Sequence, residues 1–112
     1  MKIAIPVANG LLNLHFGHCK SFAILDVDQE TKHITNRNDI DAPPHEPGLL
    51  PRWLGEREVD LVITGGMGQK AKQLFDQQSI KVIVGAPAET PEALVKAYMG
   101  GTLVSGANVC DH

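Results

Sequence analysis

A chain of 112 residues, 43% of them hydrophobic, suits one compact domain spanning 1–112. Such a chain buries roughly two thirds of its unfolded surface, enough for a core without staples. The net charge of −3 is scattered with no basic stripe, and aromatics make up only 4%, so neither phosphate binding nor base stacking on a nucleic acid is expected.

Met1 leads almost directly into "KIAIPV" (Lys2 to Val7), an apolar, β-rich stretch that predicts a strand buried on both faces. With no charged leader and no long apolar run, neither a secretion signal nor a membrane span is expected. The expected location is the cytoplasm, where thiols stay reduced, so Cys19 and Cys110 read as free thiols or ligands rather than a structural disulfide.

"ANGLLNLHFGHCK" follows, with Gly10, Asn13 and Gly17 as loop signals. "SFAILDV" (Ser21 to Val27) predicts a second strand and "HITNRND" (His33 to Asp39) a third, with Ile34 apolar and the rest exposed. The short turn "DQETK" between them implies an antiparallel hairpin. Pro43, Pro44 and Pro47 make "DAPPHEPGLLP" irregular.

A short helix over Leu49 to Arg57 comes next, with Leu50, Trp53 and Leu54 on one face and Pro51 in its first turn. "VDLVIT" predicts a strand, "GGMG" a tight turn and "QKAKQLFDQQ" a helix whose Met67, Ala71, Leu74 and Phe75 share one side. "IKVIVG" predicts a further strand. Thr90 caps a last helix, Pro91 lies in its first turn and Gly100–Gly101 end it. The order β-β-β-α-β-α-β-α predicts an α/β fold: an antiparallel meander, then parallel strands with right-handed crossovers, in a mixed sheet covered by helices on both faces.

Four places carry donor chemistry. His15, His18 and Cys19 lie in "HFGHCK", and imidazole and thiolate suit zinc, copper or iron, although the spacing is not a recognised zinc pattern. Exposed histidines beside a small buried cysteine are the alternative. Gly65, Gly66, Met67 and Gly68 form a strand-to-helix turn, where a helix start offers unpaired N–H groups to an anion; a plain tight turn is the alternative. The helix dipole contributes only about 0.3–1 kcal/mol, against about 10 kcal/mol or more for metal ligation in structural zinc sites. A metal species therefore depends on the Cys and His residues. His45, framed by prolines, is a rigidly placed imidazole or an ordinary turn residue. Cys110 and His112 in "CDH" are two apart, so an extended tail points both the same way; a frayed chain end is the alternative.

"KIAIPV", "HFGHCKSFAILDV", "PPHEPGLLPRWL", "VDLVITGGMGQKA" and the closing "GG" together resemble the dinitrogenase iron–molybdenum cofactor biosynthesis family, the small domain of NifX-type proteins and of the C-terminal end of NifB-type proteins. The resemblance covers nearly the whole chain. It implies a ribonuclease-H-like fold with a five-stranded sheet in the order 3-2-1-4-5. It also implies binding or carrying of metal–sulfur clusters of iron and molybdenum, with the opening loop, Gly65–Gly68 and His45 facing one cleft.

The leading expectation is a small non-enzymatic carrier of a metal or metal–sulfur cluster, with zinc or copper as other metals. Cys19, His15 and His18 supply primary ligands, Cys110 and His112 close the site, and His45 adds to it. Two cysteines fall short of a four-cysteine site, so the ligand set is mixed, shared across a homodimer, or labile. The expected partners are the cluster or its precursor and the proteins that donate or receive it, with no nucleic acid and no membrane. Three other readings stand beside it. A nuclease needs clustered carboxylates, and Ala8 and Asn9 end the first strand while Asp60 opens the fourth. A thiol enzyme needs Cys19 activated by His15 or His18. A protein–protein adaptor needs no ligand at all.

Overall fold

A computed structural model describes residues 1–13, 20–43 and 48–103. Six strands form one mixed sheet: β1 (Lys2–Ala8), β2 (Leu11–Leu12), β3 (Ser21–Asp28), β4 (His33–Asp41), β5 (Leu61–Ile63) and β6 (Lys81–Ile83). Three helices accompany them: α1 (Leu49–Glu56), α2 (Gln69–Gln77) and α3 (Pro91–Met99). The sheet order is β4-β3-β1-β5-β6, with β2 paired on β1. Leaving β2 aside, the longer path reads 3-2-1-4-5 in chain order, and the expected five strands become six.

Alternation along the strands assigns two core layers. Ile3, Ile5, Val7, Ala23, Leu25, Leu61 and Ile63 point to one face and pack with Leu94 and Val95 of α3. Ala4, Phe22, Ile24 and Val62 point to the other, against Leu54 of α1 and Phe75 of α2. The helices thus cover both faces, and β1, between them, is buried from Ile3 to Val7.

Ile34 and Ile40 of β4 are six residues apart, which on a regular strand puts both on one face. They serve opposite layers, Ile34 beside α3 and Ile40 beside α1 and α2. A register shift between Asp26 and Val27 explains this: Asp26 faces Asn36 and Val27 faces Ile34, so Thr35 is the extra residue of a bulge. The hairpin turn before it is held by the Asp28 carboxylate, which accepts the N–H of Glu30 at 2.9 Å and of Thr31 at 3.4 Å.

Arg37 ties β4 to α3. Its guanidinium donates to Asp39 at 2.7 and 2.9 Å and to Glu92 in the first turn of α3 at 2.5 Å. Hydrogen bonds to Asp39, then to Glu92, push the Arg37 pKa further up, and the Arg37 hydrogen bond is the main cause that lowers both carboxyls. The Thr90 hydroxyl accepts the Ala93 N–H, capping α3 as its sequence requires. Among the described residues, no helix is long and apolar enough to cross a membrane.

Candidate functional site

Pro6 sits in a central strand, where proline normally breaks the ladder. β1 pairs with β5 only at Ile3 and Ala4, and with β2 at Val7 and Ala8. The Pro6 carbonyl points to the β2 side, where it accepts the Asn13 N–H at 2.8 Å. The N–H that proline lacks belongs to that same edge, opposite Asn13, so the Pro6–Asn13 pair keeps one of the two bonds an antiparallel pair exchanges. β5 meanwhile stays with β6, and the Thr64 N–H donates to the Ile83 carbonyl at 2.9 Å.

Asn9 and Gly10 have φ of 55° and 80°, the left-handed pair of a two-residue hairpin turn, and they fold β2 back onto β1. Leu12 is 3% exposed, and its N–H donates to the Glu89 carbonyl at 2.9 Å, just ahead of α3. β2 is thereby fixed on three sides. It lies where β1 and β5 part, the switch point at which open α/β sheets place their ligands.

A cleft of about 420 Å³ opens at this end, lined by Val7, Ala8, Asn9, Asn13, Lys20 and Ser21. The Ala42 N–H donates to the Lys20 carbonyl at 2.8 Å. The end of the "HFGHCK" stretch and the residues leading toward His45 therefore meet at one point. His15, His18, Cys19, His45, Cys110 and His112 themselves lie outside the described residues.

The glycine-rich turn is described. Gly65 and Gly66 are buried, the Gly65 carbonyl accepts the Gly85 N–H at 3.0 Å, and the Gly66 carbonyl accepts the Thr64 hydroxyl at 3.3 Å. Met67 is 1% exposed in the core against α1 and α2, so its side chain anchors the turn. Gly68 caps α2 with φ of −66°, no side chain caps that helix start, and a Cβ added at Gly68 meets nothing within 4 Å. Neither backbone strain nor crowding requires glycine there.

Among the described residues, no three His, Cys, Asp or Glu side chains form a group able to hold a metal ion. The Asp60 carboxylate accepts the Lys2 N–H at 2.9 Å at the opposite end of β1, a structural role. Asn9, Lys20 and Ser21 were not singled out from the sequence as site residues. The "NG" pair between Ala8 and Leu11 is the signal that locates the hairpin and hence this cleft.

Comparison with known proteins bears on this arrangement. A family model described as dinitrogenase iron-molybdenum cofactor matches residues 1–101. The chain belongs to the dinitrogenase iron-molybdenum cofactor family. An uncharacterized protein of Methanocaldococcus jannaschii, MJ0580, is 30% identical over 109 residues, 92% of this chain and 89% of that one. The crystal structure of PH0822 aligns over the whole of both chains with a TM-score of 0.89 and 25% identity. The apo form of the orange protein from Desulfovibrio gigas shares the fold, with a TM-score of 0.75 and 23% identity over 96% of this chain and 93% of that one. Family membership covers the described cleft, the glycine-rich turn and the "HFGHCK" stretch alike.

Proposed function

We propose that this chain is a small, non-enzymatic carrier of a metal or metal–sulfur cluster of the iron–molybdenum type, working in the cytoplasm as one domain over 1–112 with a ribonuclease-H-like fold. Cys19, His15 and His18 are its primary ligands, His45 adds to them, and Cys110 and His112 close the site. The backbone N–H groups at Gly65–Gly68 favour anionic sulfides or oxygens, as hydrogen bonds to cluster sulfurs do elsewhere. Its partners are the proteins that donate or receive the cluster, and a homodimer is one way to complete the ligand set.

One observation carries this reading: the Ala42–Lys20 hydrogen bond. It joins the residue after Cys19 to the strand end three residues before His45, beside the carboxyl end of β1. A mixed Cys/His set is labile compared with four thiolates, which suits transfer. Anaerobic reconstitution with iron, sulfide and molybdate is expected to give visible absorption that a Cys19→Ser, Cys110→Ser double variant loses. Unchanged absorption in that variant refutes the cysteine assignment.

A further inference from the structure

The sheet has two outer edges, and they differ in kind. β4 forms one of them and carries Arg37, Asp39 and Asp41, with a bulge at Thr35. Charge and bulging are how edge strands avoid pairing with another chain. β6 forms the other edge, and Lys81 is its single charged residue. The Lys81 N–H donates to the Asp60 carbonyl at 3.1 Å, and the Ile83 carbonyl accepts the Thr64 N–H at 2.9 Å. Lys81 and Ile83 therefore turn their backbone groups toward β5. By alternation Val82, and Val84 just after the strand, turn theirs outward, where no described residue bonds them. The side chains at this edge are apolar on both faces of the sheet. Val82 and Val84 are half-buried on the α2 face, and Ile83 is half-buried on the α3 face beside Tyr98 and Leu103.

The chain's own continuation does not suit this edge. α2 joins β5 to β6 across the face that holds Phe75, whereas α3 leaves β6 across the opposite face, with Leu94 and Val95. A parallel strand following α3 beyond β6 would carry on in the same direction over the other face. The two crossovers would then have opposite hands, and such connections are right-handed in nearly all proteins. We propose that the occupant is a second copy of this chain, paired antiparallel through β6 about a twofold axis at Ile83. Val82 then faces the partner's Val84, and each such pair exchanges both of its N–H···O bonds. An axis at Val82 or Val84 instead would pair a valine with Ile80 or Ala86, whose N–H groups are already given to the Phe75 and Thr64 carbonyls. Ile83 stands beside the partner's Ile83, next to the cleft of about 270 Å³ that Tyr98, Gly101 and Leu103 help to line. Lys81 falls opposite the partner's Gly85, so no like charges meet. The carboxyl ends of the two copies point in opposite directions along the joined sheet, so this pairing leaves each copy its own cleft at the end of β1. The proposal does not depend on the carrier reading above.

The test measures mass by sedimentation equilibrium and amide exchange by NMR on the full chain over a range of concentrations. A dimer is expected at high concentration, with the Val82 and Val84 amides protected. On dilution those two amides should exchange, while Lys81 and Ile83, bonded to β5, stay protected. Val82→Pro removes an N–H that a single copy does not use, and is expected to raise the dimer Kd on the order of tenfold or more. Ile83→Lys and Ile83→Glu each set like charges against one another on the axis and are expected to be monomeric. Mixed in equal amounts they should pair again, which a folding defect would not produce. If the Ile83 variants melt early, Val82→Pro carries the comparison, and a Kd within twofold of wild type overturns the proposal. A monomer at every concentration with freely exchanging Val82 and Val84 amides also overturns it. So does protection of both amides in the monomer, since the chain would then cover the edge itself. A dimer that survives in Val82→Pro and in both Ile83 variants overturns it as well, because it would use another surface.

Discussion

Gly68→Asp separates the demands of the fold from those of the cargo. Gly68 caps α2 with an ordinary extended conformation, no side chain caps the helix, and the space a Cβ occupies is open. Aspartate accepts an N–H of the first turn, worth a few tenths of a kcal/mol over glycine. Its charge at the positive end of the helix adds about 0.3–1 kcal/mol, and the stiffer unfolded chain about 0.4–1 kcal/mol. These terms are not fully additive, so the variant is expected to gain about 1–2 kcal/mol and to melt roughly 4–8 °C higher. The same carboxylate stands at the turn proposed to favour anionic cargo. Anaerobic loading with iron, sulfide and molybdate is therefore expected to fall, on the order of tenfold in affinity, while stability rises. Scanning calorimetry and absorption titration on the same sample measure both. A variant that is more stable and loads as well as wild type refutes a role for the glycine turn. A variant that is less stable refutes the reading of Gly68 as unconstrained by the fold.

Arg37→Met removes the tie between β4 and α3. Because Arg37 is 29% exposed and its partners more so, the loss is expected to be only about 1 kcal/mol by urea unfolding at pH 7. Asp39 and Glu92 have lowered pKa values, so their contribution is present above their unfolded values near pH 4 and is lost as pH falls through the folded ones. The gap between wild type and variant should shrink below about pH 4; a gap unchanged at pH 3 rules out the ion pairs as its source. Gly10→Ala places a side chain at φ of 80° and is expected to cost about 1–2 kcal/mol in thermal unfolding. No loss would mean that the hairpin turn is not what fixes β2.

The long alternating and continuous apolar stretches made most of the fold legible. "KIAIPV" and "SFAILDV" announce buried strands, and Thr90, Pro91 and the closing glycines bound α3 where the structure has it. What stayed hidden depends on partners far away in sequence. The bulge at Thr35 is invisible because "HITNRND" has one apolar residue, too few to reveal a phase change. β2 is two residues long, below any periodicity, and only the "NG" turn betrays it. Met67 fits both the helix stripe and the glycine motif in the sequence; its burial assigns the side chain to the core. The donor residues were legible by type, but Asn9, Lys20 and Ser21 were not, since one lysine, one serine and one asparagine carry no pattern until a cleft gathers them.

One event in the backbone accounts for several of these features together. β5 leaves β1 after Ala4 and continues with β6 alone. That departure leaves Pro6 facing only the short β2 side, where Asn13 keeps one bond to its carbonyl, so proline at the centre of the sheet forfeits a single bond at an edge. It leaves the β1 edge from Val7 onward unpaired, and the Asn9–Gly10 turn lets the chain satisfy that edge with itself through β2. It also parts the carboxyl ends of β1 and β5, leaving the cleft with Lys20 on one and the glycine turn on the other. Restoring the N–H with Pro6→Ala should then add one bond, to the Asn13 carbonyl, worth about 0.5–1.5 kcal/mol and offset by about 0.4–1 kcal/mol from the looser unfolded chain, so the net change in stability should be small. The new amide should be protected from hydrogen exchange; a freely exchanging amide would show that the pairing through β2 does not extend to residue 6.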